Sequence, residues 1–195
     1  VTESAKVAPS RREQSARRIS TAARTLTASK GFEGFTMDDL AEAAGVSRRT
    51  LFNYFDSKID AVLGPDPDLP TDETERFRAG GPTGHLLKDL GHLVHAYIEA
   101  MPTEKAEIVL MQDVIRNPRI MAACHARFEA LAAEVIEMIR EREGHDHDQV
   151  RARVTLGLLT VVSQVALTEF VEDPDERPFS FHYDHALDSI RGLLG

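Results

Sequence analysis

The sequence has no tryptophan and a single cysteine, Cys124. One thiol cannot close an internal disulfide, so a reducing cytosol is the expected compartment. At 195 residues the chain is long enough to bury a hydrophobic core without disulfides. A long hydrophobic run is missing too. Residues 1–18 are polar, with Arg11, Arg12, Arg17 and Arg18, and lack the apolar segment of a signal peptide. The most apolar stretch, Val154 to Thr168, contains Gly157, Ser163 and Gln164 and falls short of the ~20 residues that span a bilayer. It reads as a buried helix, and no membrane partner is expected. There is no nucleophile elbow, Gly-rich phosphate loop, His-Glu-x-x-His or acid/base pair in a recognisable context. No catalytic residue or cofactor is therefore assigned. An active site built from scattered residues remains an alternative, as does a helical binding or scaffold protein.

Charge is uneven along the chain. The total is −9, yet residues 1–58 hold ten basic and seven acidic groups, a local +3 that leaves −12 for the remainder. A basic head on an acidic body suits a polyanion-binding module whose body does not itself attract the polyanion.

The periodicity is helical throughout, with no alternating strand pattern and no internal repeat, so the fold is expected to be all-α. Ala16, Ile19, Ala23 and Leu26 mark a first helix from Ser10 or Arg11 to Lys30-Gly31. Thr36 precedes Asp38 and Asp39, an N-cap with acids in the first turn, and the helix runs to Ala44 before Gly45. Ser47 opens the next, Arg48 to about Tyr54, and Asp56 or Ser57 caps a fourth that breaks at Gly64-Pro65. Residues 64–82, with four prolines and Gly80-Gly81, read as an irregular connector. Further helices are expected at 83–101, 103–116, 118–143, 147–172 and 182–194.

Residues 35–58, FTMDDLAEAAGVSRRTLFNYFDSK, have the order helix, glycine turn, short helix beginning Ser-Arg-Arg. In a helix-turn-helix the first helix braces the second, which enters the major groove. Gly45 supplies the turn, and Leu40, Ala44, Val46, Leu51 and Phe55 are spaced to fix the angle between the two helices. This segment resembles the TetR family of one-component regulators. The matching features are Phe35-Thr36, Leu40-Ala41, Ala44-Gly45-Val46-Ser47, Thr50-Leu51-Phe52, Tyr54-Phe55 and Ser57-Lys58.

The resemblance implies a three-helix DNA-binding head, residues 10–63, and a larger helical effector-binding and dimerisation domain, residues 83–195. It implies that Thr36 donates to a backbone phosphate and that Ser47, Arg48, Arg49 and Thr50 face the groove. Arg suits bidentate contact with guanine; Ser or Thr suits phosphate or a thymine methyl. Asn53 would read a base or phosphate, Tyr54 would place its hydroxyl on phosphate, and Lys58 would act there as a point charge. Where many relatives carry Tyr, this chain has Phe52, so that hydroxyl contact is absent. Alternatively, Arg48 or Arg49 pairs with Asp38 or Asp39 or is simply solvated, and Phe52 and Tyr54 are core.

For the body, the resemblance implies that helices 147–172 and 182–194 form a four-helix interface with their mates in a homodimer; the alternative is that both are core. Pocket candidates are His92, His95, Tyr97, Met101, Met111, Met121, Phe128 and Phe170, although Met and aromatics at helical spacing commonly serve as core. No ligand residue is assigned. His92/His95 and His182/His185 at i, i+3, and the run His145-Asp146-His147-Asp148, invite a metal reading, but there is no Cys pair or ligand quartet, and none is assigned. The expected function is a cytoplasmic, sequence-specific repressor that binds double-stranded DNA as a homodimer and leaves a palindromic operator when a small-molecule effector binds.

Overall fold

In the computed structural model the described residues are 10–65, 68–101, 104–144 and 148–194. Among them every regular element is an α-helix. The chain divides into two compact units. Of the described residues, the first comprises 10–65 and 110–124, the second 68–101, 104–109, 125–144 and 148–194.

In the first unit, α1 (Arg11–Lys30) begins at a capping box: Glu13 N–H donates to Ser10 Oγ, and Ser10 N–H donates to the Glu13 carboxylate. Its inward row is Ala16, Ile19, Ser20, Ala23 and Thr27; Ala16, Ile19 and Ala23 are those read from the sequence, while the expected Leu26 is half-buried against the same cluster. The short helices α2 (Met37–Ala43), α3 (Arg48–Phe52) and α4 (Lys58–Leu63) follow. None is long enough to stand alone in water, so their stability comes from packing. Leu40, Ala44, Leu51 and Phe55 are buried with Ile19, Phe32, Phe35 and Val62 in one cluster. The chain reaches α2 through a tight turn. A Cβ on Gly34 would lie 2.0 Å from the Lys30 carbonyl oxygen, so only glycine fits there. Arg24 donates to the Val62 and Leu63 carbonyls at 2.9 Å each, satisfying the open end of α4.

The same cluster takes in Val114 and Ile120, from the end of α7 (Lys105–Val114) and the start of α8 (Pro118–Glu143). The compact unit is thus larger than the expected head of residues 10–63. Two distant apolar side chains complete its core.

The second unit contains the first correction. Residues 64–82 are not wholly irregular, because α5 (Thr71–Arg78) lies among them. Three of the four prolines precede the helix in sequence and Pro82 follows it, and Pro70 sits at its N-cap, where proline costs no hydrogen bond. Asp72 and Glu73 occupy the first turn, Arg76 and Arg78 the last, and Phe77 is buried. Phe77 joins Leu90 and Leu93 of α6 (Leu86–Ala100), Val135, Met138 and Ile139 of α8, and rows from α9 (Gln149–Glu172) and α10 (Phe179–Leu194). On α9 the inward row is Ala152, Thr155, Leu159, Val162, Ala166 and Phe170. Val150, Val154, Val161 and Val165 point outward. The complete helix has 24 residues and, unlike the apolar stretch read from the sequence, is long and apolar enough by composition to cross a membrane.

Two buried carboxylates organise the loops of this unit. Asp89 accepts from Thr83 N–H and Oγ1, from Gly84 N–H and from Arg142. Burial alone would raise its pKa, but the hydrogen bonds from Thr83 and Arg142 prevail and hold it below the ordinary carboxylate range. Asp173 receives Arg177 Nε and Nη2, two backbone N–H groups and the His182 ring. The Arg177 hydrogen bonds hold its carboxyl well below the ordinary range, against the opposing effect of burial.

Candidate nucleic-acid interface

The reading helix is aimed by its burial pattern. Leu51 of α3 is fully buried and anchors the helix against Leu40 of α2. The neighbouring positions Ser47, Arg48, Arg49, Phe52 and Asn53 are exposed. The turn between the helices places Gly45 at φ 62°, a left-handed conformation that L side chains resist.

Each expected contact residue has a definite local setting. Thr36 is the N-cap of α2; Asp39 N–H donates to its Oγ1 at 3.2 Å, while Thr36 N–H and Oγ1 both donate to the Asp39 carboxylate at 2.7 Å. Those hydrogen bonds hold the Asp39 carboxyl below its ordinary range. The Thr36 hydroxyl proton is therefore already given to Asp39, and a phosphate would have to compete for it. Ser47 is the N-cap of α3: Thr50 N–H donates to its Oγ at 3.0 Å, and the two hydroxyls lie 2.8 Å apart. Asn53 is the exposed C-cap. The half-buried Tyr54 ring lies against the core of this unit, with the Arg12 guanidinium 5.9 Å from its centre.

Lys58 differs most from expectation. Its ammonium donates to the Phe32 and Phe35 carbonyls at 2.6 and 2.7 Å and lies 4.7 Å from the centre of each ring. It clips the turn before α2 to the start of α4, rather than reaching freely outward. Arg48 is also engaged: its Nη1 donates to Asp38 at 2.9 Å, and its guanidinium lies 5.6 Å from the centre of the Phe52 ring. The Asp38 pairing is thus one the sequence allowed. Arg12 was visible only as one of several N-terminal cations, because nothing in residues 10–30 says which of them meets Tyr54.

The same segment has recognisable relatives. Residues 19–60 match the model described as bacterial regulatory proteins, tetR family. Over these residues the chain is similar to the DNA-binding heads of TetR-family transcriptional regulators. The chain is 27% identical over 180 residues to the HTH-type transcriptional regulator TcmR of Streptomyces glaucescens, covering 85% of this chain and 77% of that protein. Its fold resembles a solved TetR-family regulator from Mesorhizobium loti (TM-score 0.52, 18% identity, covering 95% of this chain and 98% of that one). It also resembles one from Pseudomonas syringae (TM-score 0.51, 21% identity, 92% and 95% covered).

The pocket candidates occupy different settings. Met111 packs with the head cluster and Phe170 lies in the second core, whereas His92, Met101, Met121 and Phe128 are exposed. His95 and Tyr97 are half-buried, the former against the Tyr183 ring at 5.8 Å. The His182/His185 pair is split: His182 is buried on Asp173, and His185 is exposed. Among the described residues no group of three or more His, Cys, Asp or Glu side chains could hold a metal. His145, Asp146 and His147 lie outside the described residues.

Proposed function

We propose that this protein is a transcriptional regulator, a cytoplasmic repressor that binds a palindromic operator as a homodimer and is released by a small-molecule effector. The observation that carries the DNA half is the exposed row Ser47, Arg48, Arg49 and Asn53, held on a helix whose inner side is locked by buried Leu51. Thr36, Thr50, Tyr54 and Lys58 flank that row and supply phosphate contacts or support. The outward valines of α9 support the homodimer, because Val150, Val154, Val161 and Val165 follow one stripe with Gly157 between them. A two-fold dimer matches a two-fold site. The inward row from Ala152 to Phe170 supports α9 as a core helix rather than a membrane span. Effector release rests on the resemblance to TetR-family regulators. Linkage requires that DNA binding weaken effector binding by the same factor.

The test is selection of bound duplexes from a random pool, followed by a salt titration of the wild type and Arg49→Ala. Enrichment of a symmetric site with half-sites about 34–36 Å apart, or a multiple, supports a dimeric reader. Arg49→Ala should then cost about 1–3 kcal/mol at one base position. Failure to enrich any sequence would remove this reading.

A further inference from the structure

The Arg48 side chain is held from two directions. Asp38, from the first turn of α2, accepts from its Nη1 at 2.9 Å, and Phe52, one turn further along α3, lies beneath its guanidinium. Both carboxylate and guanidinium are well exposed, at 63% and 66%. A pair this open contributes little to folding. It does restrict where Arg48 points. Arginine carries five N–H donors, so one bond to Asp38 leaves the others for a base edge. The departure at Phe52 fits this arrangement. The position keeps an aromatic face for the guanidinium and gives up the hydroxyl.

Asp38 is not needed for the helix cap. Asp39 closes the capping box with Thr36, while Asp38 is committed to Arg48 alone among the described contacts. Its charge also has a second effect. Non-specific binding depends on cations neutralising phosphates. An exposed carboxylate beside a reading arginine repels phosphate and offsets that arginine wherever no base engages it.

We propose that Asp38 is a positioning residue for sequence readout: with Phe52 it holds the Arg48 guanidinium in its base-reading pose, and it penalises binding to the wrong sequence. This inference rests on the DNA-reading function proposed above.

The test uses the full-length protein, the duplex selected by the wild type, and a scrambled duplex of equal length. Affinities are measured for the wild type, Asp38→Ala, Asp38→Asn, Arg48→Ala and the Asp38→Ala/Arg48→Ala double variant, with thermal midpoints as a folding control. Asp38→Ala should lower the ratio of specific to non-specific affinity by about fivefold, through weaker binding to the selected duplex and tighter binding to the scrambled one. It should relax preference at the same base position as Arg48→Ala, and its effect on that position should vanish when Arg48 is already alanine. Asp38→Asn keeps an acceptor without the charge. It should tighten scrambled binding while retaining the base preference, and it carries the test if the alanine variant folds poorly. An unchanged ratio in Asp38→Ala and unchanged scrambled binding in Asp38→Asn would overturn the proposal. So would an equal effect with and without Arg48. If the wild type itself fails to discriminate, the DNA-reading function fails and takes this inference with it. Discrimination by the wild type that is indifferent to Asp38 overturns the inference alone.

Discussion

Arg142 donates to Asp89 across 2.5 Å with both side chains closed off from solvent. The same guanidinium donates to the Gly80 carbonyl and lies 4.7 Å from the centre of the Phe77 ring. One buried ion pair therefore joins α5, α6, α8 and the loop over residues 80–84. Asp89→Asn removes the more deeply buried of two carboxylates on Arg142, leaving Glu143 at 3.0 Å from Nε, and should destabilise the protein by about 1–3 kcal/mol through the weakened charge-assisted hydrogen bond. Equilibrium denaturation checks this, and a loss below about 1 kcal/mol would mean that the pair is not closed off in solution.

Acid should act through the two buried carboxylates. Both Asp89 and Asp173 have pKa values held below the ordinary 3.8 in the folded chain. A depressed folded pKa contributes stability that is fully present above the unfolded pKa and is lost as pH falls through the folded one. Unfolding free energy should therefore drop as pH is lowered below about 4. Asp173→Asn should flatten that fall, as followed by chemical denaturation at successive pH values. An equally steep fall in the variant would remove Asp173 as a cause.

Lys58 separates two roles by measurement. As a clip on the Phe32 and Phe35 carbonyls, its replacement in Lys58→Met should destabilise the head by about 1.5–3 kcal/mol. As a pure phosphate contact, the same change would leave stability alone and lower the salt slope of DNA binding by about one. The structure favours the first outcome, read by thermal unfolding and salt titration of one variant.

The outward valines give a test of assembly. Val161 is 52% exposed on one chain. If it is covered in a homodimer, Val161→Glu buries an unpaired charge at the interface. The variant should sediment as a monomer and lose most of its operator affinity, while its helical content is unchanged. A dimer that persists would place the interface elsewhere.

Much of the fold was legible in the sequence because its signals are local. Ser10, Thr36, Ser47 and Ser57 cap helices where their side chains reach the backbone within three residues; Gly31 and Gly64 end two of these helices, and Gly45 follows the Ala44 cap of a third. The hydrophobic spacing of α1 placed Ile19 and Ala23 inward. The missed helix α5 shows the limit of composition. Four prolines and two glycines obscured eight helical residues whose one buried side chain, Phe77, gives no period to detect. The partners of the site residues were harder still. Helical spacing says which face Lys58 occupies, but not that a turn 23 to 26 residues earlier presents two carbonyls there. Likewise, Val114 and Ile120 complete a core that begins about a hundred positions before them, and no local pattern announces this.

That last contribution bears on how such proteins can be recombined. A chimera that joins residues 10–66 to a foreign body looks like a clean exchange at a glycine-proline boundary. It would leave behind Val114, Ile120 and the Arg119 partner of Glu33. The transplanted reader would arrive with an open seam in its apolar interior, sealed by whatever the host happens to place there. Grafts that carry residues 110–124 along with the head should keep their melting temperature, and those cut at the boundary should not.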